Sequence, residues 1–179
     1  MKKKNLFKNT ASKKGRNRII SPENSELSAL SYFRIILDKE LSAIDYENQG
    51  VEAGLICLSG EGTITISGHE YLMKPYDTLF LPPGQRGTVR TESTLDIVEF
   101  TAPSEEQGPA HFVPFKEVNE DPELTEMLGG TGYTRKIHRL IDNNVPASRL
   151  LGGLIFSEPG NWTSWAPHEH TDTKEEIYL

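Results

Sequence analysis

The 179-residue sequence has a single cysteine, Cys57, and no run of about 18 consecutive apolar residues. One cysteine excludes an internal disulfide framework, and without a secretory signal the expected compartment is the cytoplasm. The missing apolar run argues against a membrane span. Because Cys57 lies in the apolar stretch "GLICLSG" with no base evident beside it, we interpret it as a buried strand residue rather than a nucleophile.

Acidic residues are missing from the first 18 positions, which hold eight of the 19 lysines and arginines. The whole chain nevertheless has a net charge of −7, which argues against a general affinity for nucleic acid. Basic starts of this kind occur in nucleic-acid arms, organelle-targeting segments and solvated termini. Because this one has no apolar segment and no amphipathic stripe, we expect residues 1–20 to form a basic flexible tail.

From residue 50 the sequence becomes a series of short β-rich runs broken by Gly, Pro and Asp. Strands and turns at such close spacing predict an antiparallel sandwich or barrel. In "GTITIS", alternation places Ile64 and Ile66 on one face and Thr63 and Thr65 on the other. Upstream, "ALSYFRIILDKELSAIDY" fits a helix by its Leu, Ile and Tyr spacing, but "YFRIIL" fits a strand equally well.

Composition divides the chain beyond the tail into three segments. Residues 21–103 would form a first barrel, and residues 104–133, rich in acidic residues, Gly and Pro, a connector with one short helix. Residues 134–179 would begin a second β unit with "TRKIHRLI" and "SRLLGGLIFSEPG". Because little chain remains to complete that unit, we expect exposed strand edges and apolar faces that cause self-association unless a partner covers them.

The last 12 residues, "HEHTDTKEEIYL", have the side chains of a metal site. On a strand, His168 and His170 point to the same face, and a turn after them brings a carboxylate back beside them. Because strand side chains alternate, only one of Glu175 and Glu176 can face the two imidazoles. Such ligands suit Zn²⁺, Mn²⁺, Fe²⁺ or Ni²⁺. Two surface histidines are the alternative interpretation of a lone His-x-His.

These residues resemble the first cupin metal motif, His-x-His, four residues, then Glu, and on that pattern Glu175 is the third ligand. The longer stretch "LIFSEPGNWTSWAPHEH" resembles the 5-deoxy-glucuronate isomerase family of bicupins, which carry a Gly-Asn-Trp-Ser-Ser-Tyr-Pro-Pro-His-x-His block. The residues that match this block are Gly160, Asn161, Trp162, Ser164, Pro167, His168 and His170, and those that depart from it are Thr163, Trp165 and Ala166. Residues 58–84 also resemble the central hairpins of a cupin, so the resemblance covers residues 50–179.

The resemblance implies an all-β protein with a cupin-type β-barrel, in a bicupin architecture whose second barrel is incomplete. The cupin pattern laid on the first barrel places Tyr46, Asn48, Ala53 and Gly87 at the ligand positions. None of these is a good metal ligand, so we expect the first barrel to be metal-free. A further histidine ligand of the second barrel would lie beyond Leu179.

The family also implies an isomerase that converts 5-deoxy-glucuronate to 5-dehydro-2-deoxy-gluconate in inositol catabolism. His168, His170 and Glu175 would hold a divalent metal ion, zinc, manganese or iron, which stabilises the enediolate formed by proton removal. The general base is not identifiable. For the small-molecule uronate substrate, Arg135 and Arg139, which share one face of a predicted strand, are the candidate partners of the carboxylate, and Trp162 and Trp165 are candidate walls of the pocket. The alternative interpretations are a solvated pair of surface arginines, and tryptophans that pack in the core or at an interface.

Other functions stay open at this stage. A metal-dependent cupin dioxygenase uses a similar ligand set, and a non-catalytic sugar-binding or regulatory cupin would keep the barrel without turnover. A nearer alternative is the sister ketol-isomerase that acts on pectin-derived deoxy-uronates. The motif "GNWTSW" argues against this alternative. We expect no nucleic-acid or membrane partner, and we expect a homo-oligomer.

Overall fold

The computed structural model of the chain describes residues 5–163 and 173–179. Its strands and helix are numbered in chain order. We call the part built from the first ten strands the first unit; its strands are β1 (Gly15–Ile20), β2 (Ser31–Asp38), β3 (Ala43–Glu47), β4 (Val51–Gly60), β5 (Gly62–Ile66), β6 (His69–Met73), β7 (Thr78–Leu81), β8 (Arg86–Arg90), β9 (Thr94–Pro103) and β10 (His111–Val113). The second unit contains α1 (Phe115–Glu120), β11 (Thr125–Leu128), β12 (Arg135–Ile141), β13 (Gly152–Ser157) and the residues that follow.

Two antiparallel sheets form the first unit. One has six strands in the order β1-β2-β9-β4-β7-β10, and the other has four in the order β3-β8-β5-β6. Their facing sides enclose a core that includes Ile35, Leu55, Leu79 and Ile97. In β5 the buried residues alternate with partly exposed ones, as the Thr and Ile pattern predicts, because a strand turns every second side chain to the same face. The predicted barrel core is therefore present.

The segment that fitted both a helix and a strand is a strand. β2 pairs with β1 on one side and with β9 on the other, and its Ile35 and Leu37 are buried. Gly15–Ile20, which the sequence analysis placed in a flexible tail over residues 1–20, forms β1. Its Arg16 ion-pairs with the buried Glu99, which gives this basic stretch a fixed place at the edge of the sheet.

The second unit packs against the outer side of the six-stranded sheet. Its strands form a sheet in the order β11-β12-β13. Between the units lies a second core, the shared core, where Ile56, Phe80 and Val98 of the first unit meet Leu140 and Leu150 of the second. The segment expected to be a connector contains β10 and β11, together with the single short helix that was predicted there.

Cys57 is a fully buried residue of β4, in agreement with its sequence context. Burial is the main cause that raises the pKa of its thiol, to about 12, and the nearby Asp77 adds to the effect. The thiol is therefore protonated and unsuited to nucleophilic chemistry. Among the described residues, no helix is long and apolar enough to cross a membrane.

Candidate metal centre and substrate site

The predicted site residues divide between described and undescribed parts of the chain. His168, His170 and Trp165 lie outside the described residues, whereas Glu175 and Arg135 lie within them. Among residues 5–163 and 173–179, no three His, Cys, Asp or Glu side chains form a group that would hold a metal ion. A metal site in this unit would therefore need ligands from outside the described residues, where His168 and His170 lie. Two imidazoles together with one carboxylate have the donor chemistry of a zinc, manganese or iron site.

Glu175 contacts the first unit. Its carboxylate accepts hydrogen bonds from the backbone N–H and the hydroxyl of Ser28, and from the backbone N–H groups of Ala29 at 3.0 Å and Leu30 at 2.8 Å. Burial acts to raise the pKa of Glu175, but the hydrogen bonds from Leu30, Ser28 and Ala29 outweigh it and lower the pKa to about 2. The carboxylate is ionised, and both of its oxygens are bound by the first unit.

Glu176, the other half of the pair, has a different environment. It is exposed, and its carboxylate accepts a hydrogen bond of 3.1 Å from the Tyr178 hydroxyl. The next residue, Ile177, packs against the shared core on the same side as Glu175. Burial thus alternates through Glu175, Glu176 and Ile177, as expected for extended chain, and Glu176 is directed away from the first unit.

Arg135 and Arg139 lie on the side of β12 that faces away from the first unit. His138 and Leu140, which alternate with them, are buried. Arg139 ion-pairs with Glu126 at 2.5 Å and approaches Asp142 at 3.7 Å. By contrast, Arg135 donates one long hydrogen bond of 3.4 Å, to the Tyr133 carbonyl, and forms no ion pair within the described part of the chain. Of the two arginines, Arg135 has the more available guanidinium.

In the first unit, Asn48 takes a structural role at a position where a cupin would have a metal ligand. Its amide donates to the carbonyls of Val51 at 2.9 Å and Pro82 at 2.8 Å, and its side-chain oxygen accepts the Gln85 N–H at 2.7 Å. These bonds satisfy buried backbone groups around the Pro-Pro-Gly turn. Gly87 is also structural, since a Cβ there would lie 1.7 Å from the Thr65 carbonyl oxygen.

The other two positions belong to the interior of the first unit. Ala53 is fully buried in its core. Tyr46 donates a hydrogen bond of 2.9 Å to Glu99, which Arg16 also binds through two bonds of 2.7 and 2.8 Å. Burial, followed by the charge of Glu99, raises the pKa of Tyr46 well above its usual value. Sequence reasoning missed Arg16 and Glu99; the available signal was the acidic Glu99 inside the apolar run "IVEFTAP".

Comparison with known proteins assigns the family. The model of the KduI/IolB family matches residues 5–179. The chain belongs to the KduI/IolB family. Curated relatives in this family include the 5-deoxy-glucuronate isomerase of Shouchella clausii, 27% identical over 167 residues, which cover 86% of this chain and 60% of the relative. Another is the 4-deoxy-L-threo-5-hexosulose-uronate ketol-isomerase 2 of Enterococcus faecalis, 32% identical over 152 residues, 81% of this chain and 53% of the relative.

Structural comparison agrees with the KduI/IolB assignment. An IolB-like protein from Salmonella typhimurium LT2 superposes with a TM-score of 0.74 at 19% identity, over 88% of this chain and 62% of that one. At this identity the likeness shows the fold, and it confirms the all-β, cupin-type architecture expected from the sequence. The chain spans only about three fifths of the length of this structure and of the Shouchella relative.

Proposed function

We propose that this KduI/IolB chain is an isomerase that converts 5-deoxy-glucuronate to 5-dehydro-2-deoxy-gluconate in inositol catabolism. The names of the relatives support a uronate isomerase, since both name an isomerase and a deoxy-uronate. The residues to which we give roles are Arg135 and Trp165 for the substrate, and His168, His170 and a carboxylate of the Glu175–Glu176 pair for a divalent metal ion.

Arg135 is the structural observation that carries the proposal. A uronate has a carboxylate at every step of the reaction, and a guanidinium binds a carboxylate through two parallel hydrogen bonds. Arg135 is half-buried, forms no ion pair within the described residues, and lies on the side of β12 opposite the shared core. It would bind the substrate carboxylate and so fix the orientation of the sugar chain. Arg139, already paired with Glu126, would contribute positive charge.

The proposed role of the metal ion is electrostatic. A divalent zinc, manganese or iron ion stabilises negative charge that develops on neighbouring substrate oxygens when a proton is removed between them. The chain's own contribution is to hold that ion beside the substrate oriented by Arg135. Trp165 would form an apolar wall that limits the entry of water. A residue that carries the proton is not assigned.

The test is an isomerase assay on the purified 179-residue chain. We would strip it with EDTA, restore Zn²⁺, Mn²⁺ or Fe²⁺ separately, and follow loss of 5-deoxy-glucuronate and appearance of the ketose by NMR. Turnover with at least one ion supports the proposal, and no turnover with any of them refutes it for this chain. Oxygen uptake with Fe²⁺ would indicate a dioxygenase instead.

Arg135→Gln tests the substrate contact. Losing the hydrogen bonds between the guanidinium and the substrate carboxylate costs about 1.5–3 kcal/mol of binding free energy, so KM should rise at least about tenfold. The matched control is Arg90→Gln, which removes an exposed arginine paired with Glu70 on the four-stranded sheet and should leave KM unchanged. An unchanged KM in Arg135→Gln would exclude the assigned role.

A second substrate has specific support. The Enterococcus relative, named for ketol-isomerisation of a 4-deoxy-hexosulose-uronate, has the higher identity of the two relatives described, 32% against 27%. Both substrates contain the carboxylate that Arg135 would bind, so Arg135 does not discriminate between them. The assay should therefore be run on both, and the substrate with the higher kcat/KM defines the enzyme.

A further inference from the structure

Glu175 has a counterpart in the first unit. Glu52, the second residue of β4, is almost completely buried at 1% exposure. Its carboxylate accepts the backbone N–H of Ser148 at 3.0 Å and the Ser148 hydroxyl at 2.8 Å. It also accepts the backbone N–H groups of Arg149 at 2.7 Å and Leu150 at 2.8 Å. One carboxylate of the first unit thus binds three consecutive residues of the second unit.

The contacts of Glu175 repeat those of Glu52 in the opposite direction. Glu175, in the second unit, binds Ser28–Leu30 of the first unit through the same set of donors, one serine hydroxyl and three consecutive backbone N–H groups. The two bound segments are "SAL" and "SRL", both Ser-x-Leu. Each comes just before a strand, β2 beginning at Ser31 and β13 at Gly152. The two bound segments therefore match in their donor groups, in their Ser-x-Leu sequence and in their position just before a strand.

The surroundings of the two carboxylates also match. Leu30 and Leu150, which end the bound segments, both pack in the shared core. Ile56, on the same face of β4 as Glu52, packs there, and so does Ile177, which follows Glu175 by two residues. The residue after Glu52 is Ala53, which points the other way, into the core of the first unit. By the same alternation, Glu176 points away from the shared core.

We propose that Glu52 and Glu175 make two matching contacts between the units, in each of which a carboxylate of one unit binds three consecutive residues of the other. We call each of these contacts a clasp. Glu175 forms its clasp instead of binding the predicted metal. An ionised carboxylate has two oxygens with about four lone-pair sites, and the four donors of Ser28–Leu30 use them. A metal ion at Glu175 would have to displace donors that hold the two units together. The first half of this inference is independent of the proposed function; the second half rests on the metal site proposed above.

Amide hydrogen exchange, measured by NMR in EDTA, tests the clasps without metal or activity. Glu175→Gln should speed exchange at Ser28–Leu30 by about tenfold or more and leave Ser148–Leu150 unchanged, because an amide cannot replace an ionised acceptor. Glu52→Gln should do the reverse. Glu176→Gln is the matched control and should change neither segment. Unchanged exchange at Ser28–Leu30 in Glu175→Gln would overturn the clasp.

Two milder variants keep the test usable if the Gln variants are too unstable to fold. Ser28→Ala and Ser148→Ala each remove one hydroxyl donor and leave the carboxylate and the three N–H groups in place. Each should speed exchange in its own segment alone, by less than the corresponding Gln variant. Equal changes in both segments would show general loosening and contradict two separate clasps.

Co²⁺ binding tests whether Glu175 or Glu176 is a ligand of the metal site. With Co²⁺ as the probe, Glu175→Gln should keep the visible absorption spectrum of the bound ion, and Glu176→Gln should alter it. A spectrum lost in Glu175→Gln and kept in Glu176→Gln would overturn the assignment of Glu175. If the wild-type chain binds no Co²⁺, the metal site of the proposed function fails, and the exchange rates still decide the clasps.

Discussion

Arg16→Leu should destabilise the chain strongly, because it leaves a buried charge without its partner. Glu99 is fully buried, whereas the Arg16 side chain is 22% exposed. The guanidinium also stacks on two rings, 4.6 Å from the centre of Phe33 and 4.8 Å from that of Tyr46. Without Arg16, the carboxylate keeps only the Tyr46 hydroxyl among the partners described here. Breaking a buried pair in this way costs about 3–5 kcal/mol of unfolding free energy.

Urea unfolding followed by circular dichroism measures this loss. With a slope of about 2 kcal/mol per molar urea, the midpoint should fall by roughly 2 M. Arg18→Leu is the control on the same strand, since Arg18 and its partner Glu23 have side chains 51% and 72% exposed. Such a pair contributes about 0–1 kcal/mol. If Arg16→Leu costs no more than Arg18→Leu, the reasoning about the buried pair is refuted.

The double variant Arg16→Leu/Glu99→Gln separates the charge from the packing. Glu99→Gln neutralises the buried acid, so removing Arg16 from that background leaves no uncompensated charge. The loss in the double variant should be smaller than the sum of the two single losses, with a coupling of about 1–3 kcal/mol. Additive losses would show that Arg16 contributes through its contacts with the rings and not through Glu99.

Three further outcomes follow from the described residues. The Cys57 thiol, with its pKa raised to about 12 by burial, should resist a disulfide reagent at about pH 8 in the folded chain and react once urea unfolds it; labelling of the native state would contradict this. Burial, aided by Lys136, lowers the pKa of His138, so the unfolded state takes up the proton more readily and stability should fall as pH drops below about 6.5. His138→Gln should flatten that part of the stability profile, and an unchanged slope would count against it. Ile155, a partly exposed apolar side chain on β13, should favour self-association in analytical ultracentrifugation, which Ile155→Lys should reduce without changing the far-ultraviolet spectrum.

Strands with strong local patterns were predictable from the sequence. β5 and β7 combine alternating or continuous burial with flanking Gly and Pro, so short-range information defines them. β2 was ambiguous because its apolar spacing fits two periods, and only its pairing with β9 decides the matter. β1 was missed because a basic strand at the edge of a sheet has no apolar pattern; its place depends on the contact of Arg16 with Glu99.

The candidate site was predictable in its residue types and less so in the roles of individual residues. Alternation correctly indicated that Glu175 and Glu176 point different ways, but their assignment depends on Ser28–Leu30, which lies near the other end of the sequence. Contacts at that separation leave no periodic signal. The same limit applies to Asn48, whose bonds to Pro82 and Gln85 become visible only when the strands are assembled.

The position of β9 in the six-stranded sheet has a consequence for biosynthesis. β9 lies between β2 and β4 and connects the β1–β2 pair with the β4–β7 pair. The ribosome synthesises β9 after β1, β2, β4 and β7. At about 5–20 residues per second, several seconds separate the synthesis of Asp38 from that of Pro103. During that interval the open edges of β2 and β4 are available to other nascent chains. The yield of folded protein in a cell should therefore depend on translation speed and chaperone supply over residues 38–103.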